Sequence, residues 1–99
     1  MGYKHTPAPW FEVKHFSEWL ISDGSRLVAT TAGSPAHLGL AHAKRDAANA
    51  RLIAAAPDLL KALETLLSLH DARVDTADAW NVSMEEARAA ISKAIGDQQ

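Results

Sequence analysis

The chain has 99 residues, 47% of them hydrophobic and 22% charged, with a formal net charge of -2. One ordinary globular domain fits these values. They exclude a disordered chain, which needs low hydrophobicity and high net charge, and they supply no basic excess to attract phosphate backbones. There is no cysteine, so disulfides, thiolate zinc sites and cysteine nucleophiles are out, and a reducing, cytoplasmic compartment is expected.

Residues 1–9 read as an extended arm, because Pro7 and Pro9 fix φ and disfavour helix before them. The run 1–5 leads into prolines rather than an apolar signal core, and no apolar run is long enough to span a bilayer. Residues 10–31 read as a β-meander. Trp10 to Phe16 is aromatic and β-branched enough for a strand, with Phe11, Val13 and His15 on one face and Trp10, Glu12, Lys14 and Phe16 on the other. Asp23-Gly24 between two apolar runs signals a hairpin. A two-residue loop would set Leu20 opposite Leu27 and Trp19 opposite Val28, and a longer loop would slip that register. The glycines and proline of 32–39 read as a loop.

Residues 41–95 read as helical. In the first helix, Ala41 to Ala55, Ala43, Ala47, Ala50 and Ala54 form a small-residue face. Leu52 and Ala48 lie roughly opposite, which suggests cover on two sides. Pro57 ends that helix and suits the first turn of the next, where Asp58 meets the positive end of the dipole. On this second helix Leu59, Leu60, Leu63, Leu66, Leu67 and His70 form one wide stripe, and Leu69 falls off it. Asp71 to Val82 reads as a loop. Ser83-Met84-Glu85-Glu86 reads as a capping box opening a third helix that Gly96 stops. The expected fold is therefore α+β, a small antiparallel β-meander followed by three helices packed on it, in one domain over 1–99. Leu59, Leu63, Leu66 and Ile91 are expected in its core.

Two segments carry a resemblance. His5-Thr6-Pro7-Ala8-Pro9-Trp10 resembles a His-Thr-Pro-Gly-Pro-Trp signature. The run Ala48-Asn49-Ala50-Arg51-Leu52-Ile53-Ala54-Ala55-Ala56-Pro57-Asp58-Leu59-Leu60-Lys61-Ala62-Leu63 resembles one found in a family of small phage and prophage proteins of bacteria. The order of arm, hairpin and helices fits as well, over most of residues 5–67. Ala8 departs from the family's glycine, which puts a tight turn there in doubt. The resemblance implies a bacterial cytoplasm and an accessory role in phage biology, and no mechanism.

The chemistry-bearing residues point mostly to structure. His5, His15, His37, His42 and His70 match no common zinc spacing, so no metal or cofactor is expected. His70 with Asp71, Asp75 and Asp78 offers material for a general base, yet also reads as a solvated loop after a helix end. Ser25 and Ser34 lack a nucleophile-elbow motif. Gly33 and Gly39 do not make a phosphate-binding loop. Lys44 and Arg45 near a helix start are read as surface charges before an anion site. Asn49 and Arg51 read first as packing residues and second as partner contacts. Trp10, Trp19 and Trp80 read as core, with Trp10 clamped by the arm and a binding anchor if exposed.

The leading expectation is a non-enzymatic phage accessory protein that binds a phage protein, a host protein or its own copy, with Trp10, Lys44, Arg45, Asn49 and Arg51 as candidate contacts. Neither a membrane nor a nucleic acid is the expected partner. The second reading is a small nucleic-acid binder using Lys44, Arg45 and Arg51. The third is a metal-dependent or acid–base enzyme built on His70 and the aspartates.

Overall fold

The computed structural model describes residues 4–16, 18–31 and 39–96. Three strands come first, β1 (Phe11–His15), β2 (Glu18–Ser22) and β3 (Leu27–Thr31), joined as an antiparallel sheet in the order β1-β2-β3. Three helices follow, α1 (Leu40–Ala54), α2 (Ala56–Asp71) and α3 (Ala77–Ile95). This is the α+β arrangement expected from the sequence. Ser34 and His37 lie outside the described residues, as do most of the expected 32–39 loop and the first three residues of the arm.

The register decides which side chains meet the helices. Glu12 pairs with Ile21, and Ile21 with Ala29; directly paired residues share a face. Ile21 is fully buried with Ala50 and Ala54 of α1, and Trp10, Trp19, Val28, Ala29 and Ile53 pack around them. The alanine face of α1 thus lets the helix approach the sheet closely. Phe11 and Val13 point the other way and stay about half exposed. At the arm, Trp10 Nε1 donates to the Thr6 carbonyl at 3.1 Å, and the His5 ring meets the indole edge-on at 6.1 Å.

The two-residue hairpin loop does not form. Ser22 pairs with Leu27, Leu20 with Thr30 and Trp19 with Thr31, with an irregularity at Ile21/Ser22. The cause is the side chain of Asp23. Its Oδ1 accepts the backbone N–H of Ser25 at 2.9 Å and of Arg26 at 2.7 Å, and the Ser25 hydroxyl at 3.2 Å. This local bonding organises a four-residue turn that outcompetes the tighter one. Gly24 supplies the positive φ of 100° that the turn needs.

The helices depart from expectation at three places. Leu52 and Ala48 are exposed, so α1 is covered on one side only. α3 starts at Ala77, six residues before the expected capping box. Trp80 Nε1 donates to the Val74 carbonyl at 2.6 Å, which anchors the first turn and leaves Ser83 buried in mid-helix. The expected leucine core is not one: Leu63 is 66% and Ile91 51% exposed, while Leu59 and Leu66 are half-buried. Leu69, placed off the stripe by sequence, is half-buried too. Gly96 does end α3, in the left-handed region at φ 73°. The Arg51 side chain lies against it, with Cδ 2.6 Å from where a Cβ would stand.

Two outcomes are expected from this packing. Ile21→Ala removes the one large fully buried side chain among the described residues and lowers unfolding free energy by about 2–5 kcal/mol; urea denaturation followed by circular dichroism reads it. The hydrogen bonds from the Ser25 and Arg26 amides hold the Asp23 carboxyl below the ordinary aspartate pKa. A lowered folded-state value means stabilisation present above the unfolded pKa and lost as pH falls through the folded one. The Ser25 and Arg26 amide resonances should therefore shift with a midpoint below the ordinary aspartate value of 3.8; a midpoint at or above that value would contradict the turn geometry.

Candidate functional site

The antiparallel pair α2–α3 sets a small-residue face of α3 against a face of α2 made by Leu59, Ala62, Leu66 and Leu69. Ala62 on α2 and Ser83, Ala90 and Ala94 on α3 are buried, with Ala87 half-buried on the same face. Helical periodicity puts Ser83, Ala87, Ala90 and Ala94 on one stripe of α3. Small residues there allow close approach of the axes. The ion pair of Asp58 Oδ2 with Lys93 Nζ at 2.6 Å sets the register. Equal rise along the two helices then brings Leu60 level with Ile91, Leu63 with Arg88 and Leu67 with Met84.

The hairpin has two unlike faces. One carries Asp58, Lys61, Glu86 and Lys93 around an open groove of 410 Å³ floored by Ala62, Ala89 and Ala90. The sheet approaches from this side, where Lys93 Nζ stands 6.0 Å from the centre of the Phe11 ring. The opposite face is apolar. On α2, Leu60, Leu63 and Leu67 are exposed, and on α3 so are Met84, Ile91 and Ile95. Each set lies about 100° round its helix from the small-residue contact. Because the helices are antiparallel, the two rotations bring both sets to the same side of the hairpin. Exposures of 66% at Leu63, 60% at Leu67 and 63% at Ile95 show that the described residues do not cover them.

The candidate contact residues do not converge on one place. Trp10 is half-buried and packs on the sheet–α1 core. Lys44, Arg45 and Asn49 are exposed along α1. Arg51 is half-buried in the last turn of α1, against Gly96. His70 and Asp71 lie 3.4 Å apart at the far end of α2, both largely exposed. Among the described residues no three His, Asp or Glu side chains form a group able to hold a metal ion, and no helix is long and apolar enough to cross a membrane.

Sequence reading finds the apolar stripes that hold Leu60, Leu63, Leu67, Met84, Ile91 and Ile95 but places Leu63 and Ile91 in the core, whereas all six are exposed. The available signal was the alternation of three- and four-residue steps at 60, 63, 67 and 70 and at 80, 84, 87, 91 and 95. The small-residue contact makes a sharp prediction: Ala90→Leu forces α2 and α3 apart and costs about 1–3 kcal/mol of stability, measured by chemical denaturation. Ala89→Leu, on the exposed groove floor, should cost far less.

No match was found among curated proteins or among solved structures. The sequence matches the family model of Salmonella phage P22 protein Y8K6 over residues 1–98, and the chain belongs to that family.

Proposed function

We propose that the protein is a non-enzymatic protein-binding module of a phage or prophage, working in the host cytoplasm through the apolar face of α2–α3. One observation carries the reading. Six large apolar side chains line up exposed on one side of the hairpin, away from the face where Leu59, Ala62, Leu66 and Leu69 of α2 and Ser83, Ala87, Ala90 and Ala94 of α3 are buried or half-buried. Scattered apolar residues on a surface are ordinary. A contiguous apolar stripe along two helices, rimmed by charge, is the usual mark of an interaction surface. Membership of a phage protein family supports the setting. Lys44, Arg45 and Asn49 lie on α1, away from this face, and are secondary contacts at most in this reading.

The test is a photo-crosslinking residue placed at Leu67, on the apolar face, or at Lys61, on the groove side, in cells making the full chain. Protein adducts from position 67 well above those from position 61 are expected. Equal labelling at the two positions, or none at 67, would overturn the proposal.

A further inference from the structure

We infer that the occupant of the apolar face is a second copy of this chain, docked so that α2 of each copy lies on α3 of the other in an antiparallel four-helix bundle. The inference rests on the protein-binding reading and names its partner.

The face is self-complementary. A twofold axis parallel to the helices keeps every level unchanged and carries α3 of the second copy over α2 of the first. Leu60 then meets the Ile91 level of the second copy, and Leu67 the Met84 level. Both pairs are separated by seven residues, one coiled-coil repeat, so the two layers repeat in step. Directions are also correct: each helix then has only antiparallel neighbours. The sheet lies on the groove side and does not enter the contact.

Charge agrees with the same symmetry. Arg88 sits at the outer edge of the α3 stripe, where it now bonds Glu85 at 2.6 Å on an exposed surface. The outer edge of the α2 stripe carries Glu64 and Asp71. The twofold sets the basic edge of one copy beside the acidic edge of the other, with Arg88 and Glu64 about one residue's rise, roughly 1.5 Å, apart in level. A copy turned so that α2 lay on α2 would put acid against acid.

The chain carries more surface than a compact one. A compact monomer of 10.6 kDa exposes about 5,500 Å², whereas this chain exposes 7245 Å². The elongated shape says the same: the radius of gyration is 16.2 Å, against about 13 Å for a compact chain of this length.

Solution mass by light scattering, across a concentration series of the full chain, tests the inference. Twice the 10.6 kDa chain mass is expected for the wild type. Leu63→Glu and Ile91→Glu should each weaken the dimer by at least tenfold, and Lys61→Glu, on the groove side, should leave it unchanged. Leu63→Met, which keeps an apolar side chain, separates loss of the interface from loss of fold, since it should remain dimeric. Because the chain has no cysteine, oxidising a mixture of Leu67→Cys and Met84→Cys chains reads the pairing; a mixed disulfide should dominate. A wild type that stays monomeric, a dimer indifferent to Leu63→Glu and Ile91→Glu, or homodisulfides alone would overturn the inference. A monomer that still crosslinks another protein from position 67 would sink the second copy and keep the binding module. A monomer that crosslinks nothing there would sink both.

Discussion

The inward face of α3 carries Ser83, Ala87, Ala90 and Ala94, set against Leu59, Ala62, Leu66 and Leu69 on the inward face of α2, and most of the molecule's character follows from that choice of side chain. A helix presents only part of its circumference to one neighbour. On α3 small residues occupy that part, and Met84, Ile91 and Ile95 are turned aside by about a quarter turn. The close hairpin and the exposed apolar stripe of α3 are therefore two consequences of one pattern. Larger residues at 62, 83, 87, 90 and 94 would have made a self-sufficient pair with a wider gap and an ordinary polar exterior.

The energetic side of that pattern is a thin core. Ile21 is the only large side chain fully buried among the described residues, and the alanines around it hide little apolar area each. At roughly 25 cal/mol per Å², methyl groups contribute far less than leucines, while each ordered residue costs on the order of 1–2 kcal/mol of backbone entropy. Small domains have little margin in this balance. Covering the leucine and isoleucine face would add the apolar burial that the isolated fold lacks, so association and folding stability are expected to be linked through mass action.

Sequence reading placed the elements better than it placed the core. The strands, the break at Pro57 and the stop at Gly96 come from local chemistry, and local chemistry is written in a few adjacent residues. The hairpin register was not readable from Asp23-Gly24 alone, because it depends on whether Asp23 bonds the amides of Ser25 and Arg26. The start of α3 was hidden by a plausible capping box at Ser83. Its true beginning rests on a side-chain bond from Trp80 to Val74, which no propensity encodes. The core assignment failed for a different reason. Periodicity shows that Leu63 and Ile91 share a face with other apolar residues, but not whether that face meets its own chain or another surface.

The groove face answers a further question, why the hairpin presents only one sticky side. Asp58 and Lys93 pair across the helices at about one-third exposure, and Lys61 and Glu86 line the same opening. Such pairs add little net stability at that exposure. Their value lies in register, since sliding either helix by one turn separates the partners. That register keeps Leu60 level with Ile91 and Leu67 with Met84, so the polar face sets the alignment of the apolar one behind it. In the proposed dimer, a twofold axis parallel to the helices would leave directions unchanged and set one sheet on each outer, groove-side face of the bundle, clear of the apolar contact.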